Sequence, residues 1–84
     1  MFTIAAAADK EAGWISVSVT STETISNIGS NFIIRRSSSA DGFKTWEDVH
    51  VFLLNPGSTM NELWYDKTVE SGIWYKYGIQ QRNA

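Results

Sequence analysis

The stretch Ile73-Trp74-Tyr75-Lys76-Tyr77-Gly78-Ile79-Gln80 has a period of two: Tyr75, Tyr77 and Ile79 fall on one side, and Trp74, Lys76 and Gln80 on the other. Successive side chains of an extended backbone point to opposite faces, so this alternation marks a half-buried strand. The same period recurs upstream. In Trp14-Ile15-Ser16-Val17-Ser18-Val19-Thr20, Ile15, Val17 and Val19 oppose Ser16, Ser18 and Thr20. In Phe32-Ile33-Ile34-Arg35-Arg36-Ser37, Phe32 and Ile34 share one face and Ile33 and Arg35 the other. Residues 46–54 place Val49, Val51 and Leu53 opposite Asp48, His50 and Phe52, and Glu62-Leu63-Trp64-Tyr65-Asp66 is a shorter run. The alanines at 5–8 favour helix by propensity, but so short a segment does not hold a helix alone, and residues 2–6 read as an edge strand.

Turn residues punctuate these runs. Ser38-Ser39-Ala40-Asp41-Gly42 and Glu70-Ser71-Gly72 supply glycines that take positive φ without steric cost. Asn55-Pro56-Gly57-Ser58 ends a strand, because proline fixes φ and donates nothing to a ladder. The Ser/Thr-rich residues 20–30, with turn chemistry around Gly29 in residues 27–31, form the loosest segment. Five or six short strands with no long helix predict an all-β antiparallel sandwich or barrel. At 84 residues the chain holds one core, so residues 1–84 are expected to be a single domain with residues 1–12 as an N-terminal strand or arm. Phe32, Ile34, Val17, Val19, Tyr75, Tyr77 and Ile79 are its expected buried residues.

Charge and composition narrow the partners. A net charge of −2 and a pI near 5.2 argue against a nucleic-acid module built on phosphate contacts. Without cysteine there is neither a disulfide framework nor a thiolate metal site, and cytosol, exterior and virion all remain open. Residues 1–9 lack a basic start and a long apolar stretch, so no signal peptide is expected. No apolar run nears the roughly 20 residues that span a bilayer, so no membrane insertion is expected.

Candidate chemistry is sparse. His50 is the single histidine, so no histidine-based metal cluster is expected, and a Ser–His–Asp triad would need Asp48 or Asp66 beside it. The plainer reading is a partly exposed strand histidine making one hydrogen bond. Glu47 and Asp48 are adjacent and face opposite sides of a strand, so they cannot pair as acid and base. The other acids read as solvated surface charge with no Ca²⁺ loop spacing, and Arg35-Arg36 as a surface ion-pairing dipeptide. The glycines make no phosphate loop. No catalytic residue, cofactor or metal is therefore assigned. Trp46, Trp64 and Trp74 form the candidate interaction surface, since exposed aromatics stack on sugar rings or anchor a protein partner; the alternative is that they cover the sheets or fill the core.

Residues 65–80 resemble the corner before the sixth strand of fibronectin type III domains: Tyr65-Asp66, then the aliphatic Val69, Gly72 and Tyr75, three residues past the glycine. Phe32-Ile33-Ile34-Arg35-Arg36-Ser37-Ser38 is similar to that family's third strand. The likeness covers roughly residues 14–83 and implies a fibronectin type III (immunoglobulin-like) β-sandwich. It also implies a structural tyrosine corner at Val69, Gly72 and Tyr75, in which the hydroxyl bonds the backbone a few residues upstream. The family's tryptophan late in the second strand has its nearest counterpart in Trp14, at the start of that run, and the family's seventh strand would lie beyond residue 83, so its place is expected to be filled by a strand of a neighbouring subunit, by residues beyond Ala84 or by residues 2–6. Residues 35–48 with 66–77 look like fibronectin-type modules of bacteriophage tail and baseplate proteins. The likeness implies a non-catalytic structural and interaction module, a spacer and assembly unit of a virion tail, baseplate or adhesin-type protein, in a virion or outside a cell. Its expected partners are other protein subunits, paired at the sheet edge that a seventh strand would otherwise close. The alternative is a carbohydrate-binding module that contacts host-surface sugar through its tryptophans.

Overall fold

A computed structural model describes residues 2–25, 31–55 and 57–82. Its regular elements are six strands, β1 (Phe2–Asp9), β2 (Trp14–Ile25), β3 (Asn31–Ser38), β4 (Glu47–Leu53), β5 (Ser58–Asp66) and β6 (Tyr75–Arg82), with one 3₁₀ turn at Ser39–Asp41. They form two antiparallel three-stranded sheets, in the orders β1-β2-β5 and β4-β3-β6, packed as a β-sandwich. The N-terminal strand runs three residues past the expected 2–6, and β2 continues to Ile25 through the Ser/Thr-rich segment. The turn expected around Gly29 and the conformation of Pro56 lie outside the described residues.

The core is where the two inner faces meet. Val17 and Val19 of β2, Phe32 and Ile34 of β3 and Met60 of β5 are buried, with Phe2, Ile4, Ile15, Val49, Phe52, Leu54, Trp64, Tyr77 and Ile79 packed around them. Four of the seven residues expected inside are fully enclosed. Tyr75, Tyr77 and Ile79 are only half-buried, because β6 is the last strand of its sheet and its outer side is uncovered.

Two register shifts place the side chains. On β2 the residues between Thr20 and Thr24 outnumber those opposite on β5, and the displaced Met60 amide donates to Ser21 Oγ at 2.9 Å. On β4 a bulge falls between His50, opposite Ile34, and Asp48, opposite Arg35. The bulge reverses the phase of the strand. Val49 packs toward the core, but beyond it His50 and Phe52 turn inward while Val51 and Leu53 stand 58% and 66% exposed. The alternation read from the sequence, with Val49, Val51 and Leu53 on one face, therefore fails at the bulge.

Candidate functional site

Three places on this frame hold clustered polar or aromatic groups. The first lies between the sheets at one end of the sandwich. Asp66 closes β5 fully buried, and its two oxygens accept from the Thr68 amide (3.1 Å), Thr68 Oγ1 (2.8 Å), Arg36 (2.8 Å) and the Tyr77 hydroxyl (2.7 Å). Arg36 of β3 also donates to Glu47 and Thr68 and lies 5.1 Å from the centre of the Tyr75 ring. Burial alone would push the Asp66 carboxyl up; hydrogen bonds from Tyr77, Thr68 and Arg36 outweigh it and hold the carboxyl below its usual value. Burial and the Asp66 carboxylate push the Tyr77 hydroxyl well above its usual value. The group is a saturated charge network that ties β5 to β3 and β6, with its acceptors occupied by internal donors.

Two expectations change here. Arg35-Arg36 is not a surface dipeptide throughout: Arg35 makes the surface pair, to Asp48 at 2.9 Å, while the Arg36 side chain is 13% exposed and reaches across the sandwich. Asp66 is likewise not a solvated acid. The parity of β3 carried a signal for Arg36, since residues 32, 34 and 36 share the inward face. Nothing local marked Asp66 as its partner.

Next to this network, the Glu70 amide donates to the Tyr75 hydroxyl at 2.8 Å, five residues upstream, and Gly72 turns the chain at φ +84° with Val69 half-buried. Val69, Gly72 and Tyr75 thus fix the loop that leads into β6.

The second place is the β4/β5 side. His50 Nε2 lies 2.8 Å from Glu62 Oε2, and the His50 ring stacks on Trp64 at 5.1 Å between centroids. Its partner is Glu62 rather than Asp48 or Asp66, and the group closes this side by joining the two sheets. Among the described residues no group of three or more His, Cys, Asp or Glu could hold a metal, and no helix is long and apolar enough to cross a membrane.

The third place is the opposite side, between β1 and β6, where a cleft of about 860 Å³ runs from Ala6 and Ala8 of β1 to Ile73, Tyr75 and Tyr77. Trp74 stands at its lip with 78% of its surface exposed. Its backbone is pinned on both sides: its amide donates to Ser39 Oγ and its carbonyl accepts from the Ser39 amide, each at 2.9 Å.

The three candidate tryptophans therefore serve three surroundings and share no surface. Trp64 is half-buried against the core and His50. Trp46 lies on the outer face of the β4-β3-β6 sheet, its ring 3.5 Å from where a Cβ on Gly78 would sit. Trp74 borders the cleft. Comparison of the chain with known protein families, curated proteins and solved structures gives no match.

Proposed function

We propose that this chain is a fibronectin type III-like module without catalytic activity, a structural and protein-interaction unit of a larger virion tail, baseplate or adhesin-type protein. Strand order carries the reading furthest. Immunoglobulin-like sandwiches keep the first, second and fifth strands in one sheet and the third and sixth in the other, which is the partition of β1, β2, β5 and of β3, β6. The Tyr75–Glu70 bond at the start of β6 supports it as a tyrosine corner. Support for the non-catalytic reading comes from the occupied oxygens of Asp66 and from the position of His50, stacked on Phe52 and Trp64 where the sheets join, with Nε2 committed to Glu62. Two packed sheets give a module stiff enough to act as a spacer, here 40 Å in its longest dimension.

The exposure of Trp74 favours a second reading, a carbohydrate-binding module in which a sugar ring stacks on that indole. Titrating a broad panel of oligosaccharides while following tryptophan fluorescence separates the two. The module reading expects no saturable change. A saturable quench that disappears in Trp74→Ala transfers the function to sugar binding, and a hydrolase activity lost in His50→Ala ends the non-catalytic reading.

A further inference from the structure

We infer that Asp41 is a site of self-modification: its side chain closes with the Gly42 nitrogen to a succinimide and reopens as isoaspartate, and the folded connection between β3 and β4 holds that reaction shut. The inference is independent of the interaction-module reading.

The dipeptide supplies the reactants. Of the four aspartates only Asp41 precedes a glycine; Asp9 and Asp66 precede lysine, Asp48 precedes valine, and no asparagine precedes glycine or serine. A side chain on the following residue hinders the approach of its nitrogen to the aspartyl Cγ, and glycine has none. In the first step the Gly42 nitrogen gives up its proton and attacks Asp41 Cγ. The C–N bond forms, a C–O bond breaks, and the oxygen leaves as water. Water then opens the five-membered ring at either carbonyl. Attack at Cγ restores aspartate. Attack at the Asp41 main-chain carbonyl routes the backbone through the side chain, with one added methylene and a carboxylate on Cα. Water is the sole co-reactant, and residue 41 stands exposed to it.

The fold restrains both reacting groups. Asp41 Oδ1 accepts from the Lys44 amide at 3.2 Å and Oδ2 from the Thr45 hydroxyl, so the carboxyl is held toward the residues that follow the turn. The Gly42 amide donates to the Ser39 carbonyl at 3.1 Å, and the Phe43 amide to the Ser38 carbonyl at 2.9 Å. The Thr45 hydroxyl, followed by backbone amides of residues 43–45, also keeps the carboxyl below its usual value and hence ionised, the form that parts with oxygen less readily than the neutral acid. Ring closure breaks the bonds at Gly42 and at the carboxyl, so it waits for local opening of the turn. The turn is strained as well. Gly42 at φ +71° and Phe43 at φ +60° are successive left-handed residues, a conformation that glycine adopts freely and phenylalanine does not. Phe43 is kept there by its bond to Ser38 and by the Lys76 ammonium, 4.4 Å from the centre of its ring. The added methylene shifts Gly42 and Phe43 away from Ser39 and Ser38 and releases this strain, so the product does not close into the same turn.

The test is isoaspartate content after incubation at neutral pH. Trypsin releases residues 37–44 as one peptide, whose two isomers separate by chromatography. A synthetic peptide of residues 37–44 with blocked ends is expected to convert about tenfold faster than the folded chain. Thr45→Val is expected to raise the folded rate about threefold, and Thr45→Ser, which keeps the hydroxyl, to leave it unchanged. In urea that unfolds the chain, wild type, Thr45→Val and the peptide should converge. Asp41→Glu, which cannot form the five-membered ring, should remove the product. In the purified isoaspartyl chain the Gly42 and Phe43 amides should exchange faster while those of β2 and β3 keep their rates. The proposal is overturned if the folded chain converts as fast as the peptide, if Thr45→Val leaves the folded rate unchanged or speeds the unfolded chain equally, or if the unfolded chain forms no isoaspartate at residue 41. Unchanged exchange at Gly42 and Phe43 in the isoaspartyl chain would overturn the part of the proposal that has the product leave the turn.

Discussion

Asp66 and Arg36 form the one charge pair that reaches into the interior among the described residues, and pairs of that kind respond unequally to the loss of either member. Replacing Asp66 with Asn removes the charge on which Tyr77, Thr68 and Arg36 converge and leaves Glu47 as the carboxylate bonded to Arg36. The expected loss is about 3 kcal/mol, a large share of the roughly 4–13 kcal/mol that a chain of this length possesses. Tyr77→Phe removes one hydrogen bond to a charged acceptor and is expected to cost about 1.5–3 kcal/mol. Arg35→Ala, which breaks the exposed pair with Asp48, should cost less than about 1 kcal/mol. Urea unfolding gives the ranking, and an Arg35 variant as damaging as the Asp66 one would contradict the interior role of the network. The same groups set a pH profile. Asp66 is held below its ordinary value of 3.8, so the unfolded chain binds its proton first as pH falls, and the stability this group supplies drains away below about pH 4. Tyr77 is raised above its ordinary 10.0, so the unfolded chain releases its proton first, and stability falls again above about pH 10. Thermal melts across pH should show both flanks, with the acid flank reduced in Asp66→Asn, since Asp41, also held below its ordinary value by Thr45, keeps a share. The inward direction of Arg36 was legible in the parity it shares with Phe32 and Ile34. The pairing was not, because 30 residues separate Arg36 from Asp66 and no local pattern encodes a contact at that range.

At the scale of elements, alternation located five of the six strands, β1 being read instead from a segment too short for a helix, and its one failure in phase has a physical cause. A bulge adds a residue to one strand without changing the local composition, so the row Val49, Val51, Leu53 looks continuous in sequence although its members end on opposite faces. Substitutions read the phase directly. Phe52→Ala removes a ring that stacks on Phe32 and is expected to cost about 2–3 kcal/mol, whereas Val51→Thr, outward and 58% exposed, should stay within about 0.5 kcal/mol. Equal effects, measured by denaturant midpoint, would return β4 to the unbulged register. Before β6 the chemistry is local: the Tyr75 hydroxyl and the Glu70 amide lie five residues apart, and Gly72 between them takes the positive φ that the turn demands. Tyr75→Phe leaves that amide without its acceptor and is expected to destabilise the domain by about 1 kcal/mol while leaving the sheet order intact.

For the whole molecule, the decisive property is how little apolar surface is fully enclosed. A folded chain of 9.4 kDa ordinarily exposes about 5,000 Å². This one exposes 5593 Å², and its fully enclosed apolar cluster is limited to Val17, Val19, Phe32, Ile34 and Met60. Four of those five lie on β2 and β3, the central strands of the two sheets, and their ladders are covered on both sides. Local opening free energies follow coverage, so amide exchange in the free chain should be slowest in β2 and β3 and fastest among the outward-pointing amides of β6.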